Sequence, residues 1–302
     1  MPGSTLSVIL QNYNDGATIG EAIEAILNQS FKPTELILVD DGSTDNSVEI
    51  IERYAKKDST IRFLRNERNM GLWAAAYRAL EAASGDYLYS ASSNDKILPG
   101  FFEKSMSLLQ QYPQAGLSCS DFFFLFPDST LVRDPQRSFT ATPCYFSPEE
   151  LISRMSAKRF YVPHGCGVVW KRSSLSKAGN FNAQLGSAGD WFAIHIMAFR
   201  DGICYVPEAL AVNRSMPDSY SARHGRQPLL QRKIYRYGHS LLKAPEYRDV
   251  YDAFQKSGAV LAFFGGTYAA ILRTLLAHPE YWKRLFPLLF KRVLKKMRKM
   301  IF

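Results

Sequence analysis

An α/β fold, with a mainly parallel central sheet flanked by helices and a helical C-terminal extension, is the architecture this sequence predicts. Short apolar runs alternate with helix-period segments over the first hundred residues, the pattern of βαβ units. Three of those runs end in polar clusters, as strands do when a ligand binds beyond their carboxyl ends. From about residue 227 onward the chain reads as helical.

Residues 6–10 form the first apolar run, and Ile19, Ala22, Ile23, Ile26 and Leu27 then fall on one helical face. The second run, residues 36–39, stops at Asp-Asp-Gly, where Thr44 or Asp45 can cap a helix carrying Val48, Ile51 and Ala55. Residues 61–64 predict a third strand and 72–83 an alanine-rich helix. A fourth strand follows over 86–91, and a helix over 101–110 after Pro99. Beyond about Leu117 the pattern is mixed, with aromatic residues at 122–126. Strands are predicted there at 166–170 and 202–206, with a helix at 191–200 between them. The chain thus divides into a domain over 1–225, its halves meeting near 115, and an extension over 226–302.

Composition narrows the function classes. Of 302 residues, 46% are hydrophobic and 22% charged, as in a soluble globular protein. The apolar start lacks the basic leader and length of a secretory signal, so a cytoplasmic location is expected. Four scattered cysteines with no CxxC pair predict reduced thiols rather than zinc or a disulfide framework. The net charge of +9 is concentrated late: residues 282–302 hold eight Lys or Arg and no acid. No nucleic-acid module accompanies that charge, so no nucleic-acid partner is expected. The tail interleaves Leu285, Leu288, Leu289, Val293, Leu294 and Met297 with its cations. That pattern fits an amphipathic helix lying on an anionic membrane surface, peripheral on its inner face. A core-packing or oligomer-forming helix is the alternative. Residues 259–277 are apolar but contain Gly265-Gly266 and Arg273, and are not read as a spanning helix.

The first polar cluster is Gln11-Asn12-Tyr13-Asn14, after Ser7-Val8-Ile9-Leu10. The second is Val39-Asp40-Asp41-Gly42-Ser43-Thr44-Asp45. A carboxylate at a strand end can read an uncharged nucleobase by hydrogen bonds, with aromatic or backbone contacts framing its face. A turn plus helix cap is the plainer reading of the second cluster alone. Together these runs resemble the inverting family 2 glycosyltransferases of GT-A fold, of bacterial cell-envelope polysaccharide type, over roughly residues 5–215. The resemblance implies a Rossmann-like nucleotide-binding half to about 115 and an acceptor half from 116 to 225. It implies transfer from a nucleoside-diphosphate sugar, with UDP-sugars favoured, to a hydroxyl of a glycan or lipid-linked acceptor. Gln11, Tyr13, Asn14 and Asp41 would then bind the donor, Tyr13 and Asp41 bordering its base and ribose. Asn69-Met70-Gly71 looks like the family's Asn-x-Gly element beside the donor, although a plain helix-start glycine remains open.

The third cluster departs from the family. Its Asp-x-Asp-Asp segment is here Ser92-Ser93-Asn94-Asp95, so one carboxylate survives of those that hold Mg²⁺ or Mn²⁺ on the diphosphate. A weaker metal site at Asp95 and Asn94 is expected, with Asn94 also against the donor. Arg214, Arg223 and His224, with Arg226, follow the last predicted strand and suggest a lid that neutralises the diphosphate, or else a solvated linker. For the general base, the resemblance points to Asp190 in Gly189-Asp190-Trp191-Phe192, with Gly189 replacing a first acid. A helix cap is the structural alternative for Asp190. Trp191 and His164 are acceptor candidates, each also readable as a packing residue. A catalytically silent sugar-nucleotide-binding subunit that recruits partners at the membrane is the competing function.

Overall fold

The computed structural model describes residues 4–133, 140–157, 162 and 165–259. The acceptor candidate His164 and the expected tail helix over 281–302 lie outside the described residues. The first part of the chain alternates regularly: β1 (Leu6–Asn12), α1 (Ile19–Leu27), β2 (Glu35–Asp40), α2 (Ser47–Ala55), β3 (Ile61–Arg65), α3 (Leu72–Ala82) and β4 (Tyr87–Ser92). A two-residue strand β5 (Lys96–Ile97) precedes α4 (Phe101–Gln111). The second part carries β6 (Leu117–Leu125), β7 (Leu131–Arg133), β8 (Cys144–Phe146), α5 (Pro148–Ser156), β9 (Val168–Lys171) and α6 (Arg172–Lys177). Then come α7 (Gly189–Asp201), β10 (Ile203–Arg214), α8 (Tyr220–Gly225), α9 (Pro228–Leu242) and α10 (Arg248–Ser257).

One sheet runs in the order β3-β2-β1-β4-β9-β6-β10-β5. The first four strands are mutually parallel, β9 opposes both β4 and β6, and β10 is parallel to β6. Side-chain alternation explains why helices cover both faces. Leu6, Val8 and Leu10 of β1, Leu36 and Leu38 of β2, and Tyr87 and Tyr89 of β4 share one core with α1 and α4. Ile9, Ile37, Val39 and Leu88 point into the opposite core, with α3, α5 and α7. Each such buried side chain contributes about 1.5–3 kcal/mol. Ile234 and Leu242 of α9 and Val250 and Phe254 of α10 are buried in that second core, so the helical segment after β10 begins as a packed layer.

Two expectations changed. The strand expected to end at 206 continues to Arg214, because bulges between Val206 and Ala211 accommodate Pro207 without ending the pairing with β6. Cys166 and Gly167, expected inside a strand, belong to a 3-10 turn over Gly165–Gly167 that leads into β9. Cys119, Cys166 and Cys204 are buried and Cys144 is half-buried. Among the described residues no helix is long and apolar enough to cross a membrane.

Candidate functional site

Parallel pairing fixes the floor of the site. Asn12 lies opposite Asp40, and Gln11 opposite Ser92, so the ends of β1, β2 and β4 open on the same edge. Asp40 is fully buried and organises the edge from below. It accepts from Asn12 Nδ2 (2.8 Å), Ser43 N–H (2.9 Å) and Ser43 Oγ (2.5 Å). Asn14, with φ +56, ties the two loops together. Its N–H donates to Ser43 Oγ (2.9 Å) and its Oδ1 accepts from Thr44 N–H (2.8 Å). Gln11 Nε2 is buried and makes no hydrogen bond among the described residues. A donor left so is costly, and a ligand oxygen would relieve it. Tyr13 stands 44% exposed above this floor, with its ring free to pack on a ligand.

Asp41 plays a different part from Asp40. It is 3% exposed, and its carboxylate accepts from Asn66 Nδ2 (2.7 Å), Met70 N–H (2.9 Å) and Gly71 N–H (2.8 Å). A carboxylate has about four lone-pair sites, so one remains for a ligand donor. Asn69 Oδ1 also accepts from Gly71 N–H (2.9 Å). Gly71, the residue before α3, has φ +91 and open space where a Cβ would stand, so a ligand can approach its backbone.

Helix α3 then carries the geometry across to the second half of the domain. Trp73, in its first turn, fills the space beside Gly189: a Cβ there would lie 2.8 Å from Trp73 Cη2 and 2.9 Å from Asn182 O. Tyr77, one turn on, donates from its hydroxyl to Phe181 O (2.8 Å) and accepts from Ala183 N–H (3.0 Å). The glycine standing where the family pattern has an acid is therefore a packing consequence of Trp73. Gly189→Ala should lower unfolding stability by about 1–3 kcal/mol through overpacking. Trp73→Ala in the same chain should recover part of that loss, as a denaturant double-mutant cycle would show. Strict additivity would mean that the two residues do not compete for space.

Asp190 sits in the first turn of α7, where Trp191 N–H donates to its Oδ1 (2.7 Å). Burial nevertheless outweighs that bond and raises its pKa above the ordinary aspartate value. The Trp191 ring packs 3.8 Å from His195 and 6.3 Å from Phe254, on the α10 side of α7. Trp73 packs beside Gly189, the residue before the candidate base.

At the third cluster the residues expected to hold a divalent cation, Asp95 and Asn94, are engaged within the protein. Asp95 accepts from Arg214 N–H (2.7 Å) and Asn213 Nδ2 (3.2 Å), and burial pushes its carboxyl up to about 6. Asn94 Oδ1 accepts from Ser92 Oγ (2.6 Å). The Arg214 guanidinium donates through Nε to the Asn94 carbonyl (2.9 Å) and pairs with Glu21 (2.7 Å). Mg²⁺ and Mn²⁺ need several oxygen ligands, charged ones among them. Here Asp95 stands beside a fixed cation, and the Asp15 carboxylate, which accepts from Ser93 Oγ, lies close enough to raise Asp95 further. Among the described residues no group of three or more His, Cys, Asp or Glu side chains is arranged to hold a metal.

The three residues expected to form a lid separate into two sets. Arg214 ends β10 and is held in the floor by the contacts just described. Arg223 and His224 lie on α8, which docks where Trp73 Nε1 donates to Tyr220 Oη (3.2 Å) and Tyr220 packs 4.0 Å from His224. Burial, and then the Arg223 charge, lower the His224 pKa, so its neutral imidazole is favoured over a cation. Sequence reasoning missed Trp73 and Tyr220. A tryptophan directly after Asn69-Met70-Gly71-Leu72, at the head of an alanine-rich helix, was the available signal for the first.

Comparison with known proteins identifies a family and a fold. A family model described as glycosyl transferase family 2 matches residues 7–177. The uncharacterized glycosyltransferase YibD of Escherichia coli K12 is 30% identical over 166 residues, which is 55% of this chain and 46% of that protein. Glycosyltransferase GlyG of Streptococcus pneumoniae is 35% identical over 106 residues, 35% of each chain. The matches span less than half the length of these relatives. The fold is similar to that of S. aureus TarS crystallised with UDP-GlcNAc. The TM-score is 0.64 at 18% identity, covering 86% of this chain and 72% of that one.

Proposed function

The chain belongs to glycosyl transferase family 2, and from that premise we propose that it moves a sugar from a nucleoside-diphosphate donor to an acceptor hydroxyl with inversion. The observation that carries this reading is the continuity from Asp41, through Gly71, to Trp73 at Gly189 and so to Asp190. One short helix start thereby joins a nucleotide-sized edge to a shielded carboxylate. In the reaction, Asp190 accepts the proton of the acceptor hydroxyl as its oxygen attacks the anomeric carbon. The bond to the nucleoside diphosphate breaks on the opposite face. Gln11, Tyr13, Asn14, Asp41, Asn69, Gly71 and Asn94 border the donor, while Arg223 and His224 on α8 close over it. UDP is the favoured nucleotide, a choice that the UDP-GlcNAc complex of the similar fold supports. The eight cations over 282–302 support a membrane-peripheral setting and a glycan or lipid-linked acceptor.

Thermal-shift titration with UDP, GDP, CDP, dTDP and their common sugars tests the donor assignment, because a ligand specific for the native state raises its melting temperature. A shift with none of them would remove the reading. The replacement of acids at Ser92 and Asn94 favours a second reading, a sugar-nucleotide-binding subunit without turnover. A shift accompanied by neither donor hydrolysis nor transfer would favour that alternative.

A further inference from the structure

The altered third cluster carries a consequence for how the leaving group is held, and it rests on the donor reading above. In this chain Ser92 and Asn94 stand at positions where the family pattern has metal-binding acids. A cation nevertheless stands there: Arg214, fixed on the Asn94 carbonyl (2.9 Å) and on Glu21 (2.7 Å), with its backbone N–H on Asp95 (2.7 Å). Glu21 is shared with Lys96, so two cations meet one carboxylate and the trio keeps a net positive charge. The guanidinium side chain is 24% exposed, enough to offer an unused N–H to an oxygen at the strand ends. A divalent ion placed on Asn94 and Asp95 would have to share that space with the guanidinium, against like-charge repulsion, with Asp95 as the one anionic ligand of the cluster and Asp15 held beside it on Ser93. We propose that the protein binds its nucleoside diphosphate without a divalent cation, Arg214 standing in the ion's place against the diphosphate. Planar N–H pairs suit phosphate oxygens, so the departing diphosphate keeps a matched counter-charge through the reaction.

Calorimetric titration with UDP, GDP, CDP and dTDP, each in EDTA and in Mn²⁺, tests this on the full chain. The best-bound nucleotide should have dissociation constants within about twofold in the two buffers, well under the tenfold step that 1.4 kcal/mol represents. A loss of about tenfold or more in EDTA would overturn the inference while leaving the donor reading intact. Binding in neither buffer would overturn the donor reading itself. Asn94→Asp should convert the site, making Mn²⁺ tighten binding by about tenfold or more through a second carboxylate. An Asn94→Asp protein indifferent to Mn²⁺ would mean that no ion position exists there for Arg214 to replace. Arg214→Gln should weaken the diphosphate while sparing the corresponding nucleoside, and Arg214→Lys should restore part of the difference. Equal loss of nucleoside and diphosphate would assign Arg214 to holding the loops together instead.

Discussion

Asp190→Asn is expected to lower the transfer rate by about 10²–10⁴-fold, the usual contribution of a positioned general base, with nucleotide affinity unchanged. The amide keeps the shape of the carboxyl and can still accept from Trp191 N–H, now at 2.7 Å, so the first turn of α7 should remain in place. What the substitution removes is the ability to take a proton. The loss should therefore fall on kcat and on kcat/KM together. The wild-type pH profile carries a companion signature. Burial raises the Asp190 pKa, and the base must be ionised to act, so activity should rise through an acid limb displaced upward from that of an ordinary aspartate. In Asp190→Asn that limb should vanish from whatever slow rate remains. Steady-state kinetics against pH with a radiolabelled donor would decide it. Substantial turnover by the asparagine variant would transfer the role to another carboxylate.

Gly42→Ala is expected to be the most disruptive single methyl in the nucleotide half. Gly42 has φ +73, where an L side chain is strained by roughly 1–2 kcal/mol. Its added Cβ would lie 2.6 Å from the carbonyl carbon of Arg68, 2.7 Å from its Cα and 2.8 Å from Asn69 N. All three are backbone atoms, so no side chain can swing aside, and overpacking adds about 1–3 kcal/mol. Together these approach half of the stability typical of a domain, about 5–15 kcal/mol. The relief available is to move the segment around Arg68 and Asn69, and that segment leads to the Met70 and Gly71 amides on Asp41. A denaturant midpoint well below wild type, with weakened UDP binding in the fraction that still folds, is the expected pair of results. A wild-type midpoint would mean that the loop is not held as closely as described.

The first half of the fold was legible because its signals are local. The runs at 6–10, 36–39, 61–64 and 86–91 lie within or one residue from β1, β2, β3 and β4, and the helices at 72–83 and 101–110 match α3 and α4 within one residue at each end. Hydrophobic period and turn chemistry suffice when each strand is followed by its own covering helix. The second half was less legible. β5, β7 and β8 are two or three residues long and exist only through partners elsewhere in the sheet. The length of β10 depends on bulges that no period reveals. The site divides in the same way. Asp41 and Asn14 announce themselves by sitting in turn-rich clusters at strand ends. Their division of labour with Asp40 does not, since identical side chains one residue apart face opposite ways on a strand. For Trp191 the sequence leaves an acceptor surface and a packing role open. One helical step turns a side chain by about a quarter of a turn, and Trp191 faces Phe254. Trp73 reaches Gly189 across 116 positions, a proximity that only the folded sheet provides.

The bond between Arg214 N–H and Asp95 spans 119 residues, and that separation has a bearing on how the chain is made. At the usual elongation speed, ~6–24 s pass between synthesis of the carboxylate and of its partner. During that interval β1 to β4 can already pair, but the edge of β4 waits for β9 and the floor of the site waits for the end of β10. An open strand edge is a template for unwanted pairing. The nascent chain therefore passes through a stage with an exposed edge and an unfinished nucleotide pocket, in which donor cannot yet act as a folding ligand. Stabilisation by nucleotide should become available only after Arg214 has left the ribosome, which makes the last third of the domain the step that commits the first third to its final shape.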